Sequence, residues 1–190
     1  MTGTTPNEKR SHQRGRPWLW LFVSLAAVVV DQLSKWLCAA YLKTVGSITV
    51  IPGFLKFTYL ENTGAAFGSF TEHRWVFMIF STVAIVAVTI YLLLFAENNR
   101  LLRWSLALII GGGVGNMIDR ISLGYVIDFL DFHAIWQYIF NIADSCVCVG
   151  AGLMVLYSIL ALVQEMKAAE AKNATADDEQ NTGDEPGGDA

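Results

Sequence analysis

WLWLFVSLAAVVVDQLSKWLCAAY, residues 18 to 41, is almost wholly apolar as far as Val30, then carries Asp31 and Lys35 before the apolar character returns. A bilayer core takes about 20 helical residues at about 1.5 Å of rise each, so this stretch is long enough to cross one. An acid and a base inside it are costly in hydrocarbon and belong against a protein interior or a polar cavity. Their i, i+4 spacing puts them on one helix face, where they can pair. A cleavable signal peptide fits poorly, because the charged pair falls where an apolar core or a neutral cleavage region should be. Cys38 has no lipid-attachment pattern before it, only Lys35, Trp36 and Leu37. The segment reads as a retained membrane span.

The rest of the chain agrees with a bilayer as its solvent. Of 190 residues 54% are hydrophobic and only 16% charged, far more apolar than a soluble domain of this length requires. Three more spans are expected: Trp75 to Ala96, which has no formal charge; Trp104 to Ile118, which ends on Asp119 and Arg120; and a run after Asp144 that stays uncharged as far as Gln164. The fold class is therefore an all-α membrane protein with four transmembrane helices and both termini on one side. Lys9, Arg10, Arg14, Arg16, Arg100, Arg103, Lys167 and Lys172 flank one side, against Lys43, Lys56, Arg74 and Arg120 on the other. By the positive-inside rule the termini are cytoplasmic and the longer connections face outward.

Three parts follow: a basic cytoplasmic flank (1–16), a four-helix membrane domain (17–166) and an acidic cytoplasmic tail (167–190). The overall charge of −4 comes from that tail, where seven acids face Lys167 and Lys172. Low in bulky apolar residues, it is expected to be disordered. Cys38, Cys146 and Cys148 lie in apolar runs without ligand spacing to histidine, so they read as packing residues rather than a disulfide framework or a zinc site. No metal or other cofactor, and no nucleic acid, is expected.

Between the spans, Ser47 to Leu60 reads as short strands around a Pro52-Gly53 turn, giving a small extracytoplasmic sheet. Phe132, Trp136 and Tyr138, between Phe129 and Phe140, suit an interfacial segment. Gly111, Gly112, Gly113 and Gly115 include a G-x-x-x-G step and point to close helix packing rather than a phosphate loop.

Helix depth brings the acids together. Asp31 lies about 20 Å up from Trp18, and Asp119 about 22 Å up from Trp104, while Asp144 opens the fourth span. One polar site at the outer level accommodates all three. Asp31 is matched by Lys35, and Asp119, beside Arg120, fits a supporting polar network. Asp128 and Asp144 have apolar neighbours and no local cation. Placed at the outer ends of membrane helices, these two are the better candidates to share a proton and activate a water for peptide hydrolysis. From spacing alone, an ion pathway, a proton relay or a purely structural cluster remains open to the same residues. No H-E-x-x-H motif and no serine-nucleophile pattern is present.

Five blocks in order make a more specific pattern: DQLSK (31–35), ENTGAAFG (61–68), GGGVGNMIDR (111–120), VIDF (126–129) and FNIAD (140–144). Together they resemble the lipoprotein signal peptidases, or signal peptidases II, of bacteria, over about Trp18 to Gln164. The resemblance implies that Asp128 and Asp144 are the catalytic aspartates. It implies that Asn62, Asn116, Arg120 and Asn141 orient the substrate backbone or the dyad, and that Asp31 and Lys35 support the site. It further implies cleavage of prolipoproteins just before a diacylglyceryl-modified cysteine, and inhibition by globomycin. The expected partners are the lipid-modified precursors and membrane lipid, and the expected setting is the bacterial cytoplasmic membrane, with the chain acting as a monomer.

Overall fold

The structure, a computed structural model, describes residues 16–64 and 74–182. Most of the basic flank, the second half of the ENTGAAFG block and the last residues of the tail lie outside the described residues. Four helices among those described are long and apolar enough to cross a membrane. Helix α1 (Trp20–Tyr41) follows a single 3-10 turn at Pro17–Leu19, and α2 (Arg74–Ile90) runs into a π-turn at Tyr91–Phe95. Helix α3 (Arg100–Ser122) starts earlier than the apolar run suggests, because the Asn99 side chain caps it by accepting from the Leu101 and Leu102 amides. Helix α4 spans Ile142–Thr182. The tail expected to be disordered from residue 167 is thus helical through Thr182. Its alanines, glutamates and Lys172 are good helix formers, and they extend a helix already nucleated in the membrane domain.

A four-stranded antiparallel sheet, in the order β1-β2-β3-β4, packs against α1 and α3 at one end of the bundle. Strands β1 (Ser47–Ile51) and β2 (Leu55–Asn62) form the expected hairpin. Its turn has Pro52 then Gly53 at φ 75°, closed by the Phe54 amide donating to the Ile51 carbonyl, which is what a type II turn requires. Strands β3 (Val126–Asp131) and β4 (Ile139–Phe140) extend the sheet through the segment expected to be interfacial. Phe129 on β3 packs with Cys38 and Leu42 from the end of α1, with Phe57 and Tyr59 of β2 alongside, and this apolar cluster seats the sheet on the bundle.

Helix α3 is the axis. It is the most buried of the four spans, whereas α2 and α4 present most of their large apolar side chains outward, as lipid-facing helices do. The glycines make this possible by facing three different neighbours. A Cβ on Gly111 would meet Ala27 and the Ser24 backbone of α1, one on Gly112 would run into the Ala143 carbonyl of α4, and one on Gly113 would press on Ile85 of α2. At the other end of the bundle Leu92, Leu102, Leu106 and Ile110 form the buried apolar core.

Gly112→Ala should therefore lower the thermal unfolding midpoint in detergent, with an overpacking cost of about 1–3 kcal/mol. Gly152→Ala, which meets nothing within 4 Å, should shift stability by no more than about 0.5 kcal/mol.

Candidate active site

The start of α4 is a reciprocal cap. The Asn141 side-chain oxygen accepts from the Asp144 amide at 2.8 Å, and the Asp144 carboxylate accepts from the Asn141 amide at 3.3 Å. This is a capping box with Asn at the N-cap and Asp three residues on. Each residue satisfies an amide of the other, which fixes the Asp144 carboxylate over the helix N-terminus. The Ala143 amide, also without an intrahelical partner, donates to Asp31 Oδ1 of α1 at 2.8 Å.

Lys35 lies one turn beyond Asp31. Its ammonium is 2% exposed and makes three contacts: Asp31 Oδ2 at 2.8 Å, Asp119 Oδ2 at 3.0 Å and Asn116 Oδ1 at 3.0 Å. Three donors with three acceptors leave this buried cation fully satisfied. The expected Asp31–Lys35 pair is present, and the ion partner of Asp119 is Lys35 rather than its sequence neighbour Arg120. Asp119 also receives the Gln32 amide at 2.8 Å and the Ile127 backbone amide at 3.1 Å. Ile127 immediately precedes Asp128, so Asp119 pins strand β3 beside the second carboxylate.

Asp128 is 1% exposed. It projects from β3, not from a helix end as expected, because the chain after α3 leaves through Gly124 (φ 84°) and enters the sheet at once. Its Oδ1 accepts from Asn141 Nδ2 at 2.7 Å and its Oδ2 from Asn62 Nδ2 at 2.8 Å. Asn62 is itself oriented by the Gly64 amide, which donates to its Oδ1. Asp144 Oδ1 accepts from Asn116 Nδ2 at 2.7 Å. Asn141 therefore touches both carboxylates, and Asn116 links Asp144 to Lys35.

Burial pushes the Asp128 carboxyl up to about 6, an effect that the Asn62 and Asn141 donors oppose and the nearby Asp144 charge reinforces. The charge balance points the same way. Among the described residues of the cluster, Lys35 and Arg120 stand against Asp31, Asp119, Asp128 and Asp144, an excess of two negatives that one retained proton would halve. Lys35 is taken up by Asp31 and Asp119, so among these four acids Asp128 and Asp144 have no ion pair of their own.

Both carboxylates open into a cavity of about 740 Å³. Asn62, Asn116 and Arg120 line its polar end with them, and Ala84, Ile85, Val88, Ile109 and Val147 line an apolar lobe descending between α2, α3 and α4. The site residues named from the sequence, Asp31, Lys35, Asn62, Asn116, Asp119, Arg120, Asp128, Asn141 and Asp144, form one connected cluster. Sequence reasoning missed Gln32, which sits inside the first block yet was overshadowed by its charged neighbours. It also missed Glu61, whose carboxylate faces Lys43 at 2.8 Å and the Tyr59 hydroxyl at 2.9 Å on the cavity rim; these two donors hold it below the usual carboxylate range. Among the described residues no group of His, Cys, Asp and Glu is arranged to hold a metal.

Comparison with known proteins matches this geometry to a family. The family model of signal peptidase (SPase) II matches residues 23–160. The chain is 44% identical over 144 residues to a lipoprotein signal peptidase of Symbiobacterium thermophilum, covering 75% of this chain and 95% of that one. It is 40% identical over 152 residues to one of Coxiella burnetii, covering 76% and 92%. A solved bacterial membrane enzyme superposes with a TM-score of 0.70 at 31% identity, covering 78% of this chain and 90% of the other. The class so defined is a multi-pass membrane aspartic peptidase. Within it, the chain belongs to the signal peptidase II family.

Lys35→Met should cost about 3–5 kcal/mol, since it strands two buried carboxylates without their cation. Thermal unfolding in detergent checks this, and a variant as stable as the parent would contradict the place given to Lys35.

Proposed function

We propose that this enzyme removes signal peptides from prolipoproteins, cutting just before a diacylglyceryl-modified cysteine, with Asp128 and Asp144 as a catalytic pair that activates a water. The observation that carries the reading is the Asn141 side chain bonded to both residues, at the polar end of a cavity whose other end is apolar and lies among membrane helices. A substrate with a peptide at one end and acyl chains at the other matches both ends of that cavity. The names of the relatives support the same substrate class.

In this mechanism the pair holds one proton. The ionised carboxylate takes a proton from the water as its oxygen attacks the scissile carbonyl carbon, and the protonated one donates to the carbonyl oxygen. Collapse of the tetrahedral intermediate breaks the C–N bond: the departing amine takes up the proton that the base had accepted, and a hydroxyl of the intermediate returns its proton to the other carboxylate, so the pair again holds one proton. Asn62, Asn116 and Asn141 hold the two carboxylates throughout, and Arg120, lining the cavity, is placed to meet the substrate backbone. No covalent intermediate and no metal enter this cycle. The acyl chains fix the depth of the cysteine, so the bilayer performs part of the alignment.

The sheet end is assigned to the extracytoplasmic face of the bacterial cytoplasmic membrane and both termini to the cytoplasm, on the excess of Lys and Arg beside the opposite helix ends. The chain is proposed to act as a monomer.

Asp128→Asn and Asp144→Asn should each cut turnover of a diacylglyceryl-modified precursor by at least about 10²-fold while leaving the unfolding midpoint near that of the parent. Cleavage by the parent should survive a chelator. Retained turnover in either variant would remove that residue from the catalytic pair.

A further inference from the structure

Hydroxyl groups on the spans of this protein are mostly spent on backbone carbonyls. Thr82 donates to Met78, Thr89 to Ile85, Ser145 to Asn141 and Ser158 to Met154, each one turn back along its own helix. Ser24 reaches across to the Ala107 carbonyl. Such bonding is the usual fate of a hydroxyl that has left water. Ser81 of α2 departs from it: it lines the cavity and has no hydrogen-bond partner among the described residues. Ser105, also without a partner, is 0% exposed within the bundle, so nothing can reach it.

The height of Ser81 follows from helix geometry. Ile85 packs on Gly113 of α3. Ser81 lies four residues before Ile85 on a helix running away from the sheet, hence about 6 Å nearer the sheet. Asn116 lies three residues beyond Gly113 on a helix running toward the sheet, hence about 4.5 Å nearer it. Ser81 is therefore level with Asn116 and with the Asp144 carboxylate that Asn116 holds. Ser81, Ala84, Ile85 and Val88 follow the i, i+3, i+4, i+7 spacing of one helix face, and all four line the cavity. Among the described residues of α2 that line the cavity, Ser81 carries the single polar group, at the level of the carboxylates and on the sheet side of Ala84, Ile85 and Val88, which line the apolar lobe.

Resting on the function proposed above, this position has one matching feature in the substrate. The peptide belongs to the wall rich in Asn, Asp and Arg, and the acyl chains to the lobe. Between them a diacylglyceryl cysteine carries ester carbonyls, which accept but cannot donate. We propose that the Ser81 hydroxyl donates a hydrogen bond to an ester carbonyl of the diacylglyceryl group, making it a specificity residue for ester-linked lipid.

The test uses the full-length protein in detergent with two lipopeptides that differ only in carrying a diacylglyceryl or a dialkylglyceryl ether group on the cysteine. The parent enzyme should show a KM about three- to tenfold lower for the diester, the range a single neutral hydrogen bond supports. Ser81→Ala should raise the diester KM to the diether value, leaving both kcat values and the diether KM unchanged, and Ser81→Thr should keep the preference. Equal KM values in the parent, or an equal shift for both substrates in Ser81→Ala, would overturn the contact while leaving the catalytic pair standing. Failure of the parent to cleave the diester at all would remove the substrate reading, and this contact with it.

Discussion

The ammonium of Lys35 is the constraint on which the rest of the site depends. Removing it from water is affordable only because Asp31, Asp119 and Asn116 supply three acceptors at 2.8–3.0 Å. Each acceptor then holds something else. Asp31 caps the Ala143 amide at the start of α4, Asp119 fixes the Ile127 amide of β3, and Asn116 donates to Asp144. One buried cation thus ties together the two elements that carry the candidate carboxylates, a helix and a strand that share no segment of chain. Among the described residues it leaves those carboxylates without an ion pair of their own.

The glycine-rich turn of α3 is what allows so much polar structure in so little space. With no side chains at 111, 112, 113 and 115, three helices approach the same stretch, and Asp31 can lie against Gly115. Immediately beyond it, Asn116, Asp119 and Arg120 carry the polar side chains. Close packing and polar site are therefore consecutive parts of one helix, so that rigid backbone contacts set the side-chain positions on which the chemistry depends.

Much of this was legible in the sequence because charges inside apolar runs have few places to go. Asp31 with Lys35, and the convergence of acids from different spans, follow from helix rise and burial cost alone. The hairpin was legible from Pro52-Gly53. Other features depended on contacts that no local pattern encodes. Asp128 looked like a helix-end residue because VIDF is short and apolar, and such a run does not distinguish a buried strand from a helix margin. Its strand character comes from pairing with β2, where Asp128 lies opposite Leu60. The pairing of Asp119 with Lys35 was hidden by Arg120 next to it in sequence, and Ser81 carries no signal at all until its height on α2 is known. In the tail, low hydrophobicity suggested disorder, whereas helix propensity and continuity with α4 carry the helix on to Thr182.

The proton proposed for the carboxylate pair is the point at which structure and chemistry meet. Infrared difference spectroscopy of the detergent-solubilised protein can follow it directly, through the carbonyl stretch of a protonated carboxyl group. A band that persists above the ordinary carboxylate range, disappears as the pH rises through about 6 and is absent in Asp128→Asn is the expected result. A pair that is fully ionised throughout the weakly acidic range, with no such band, would contradict a proton-sharing site.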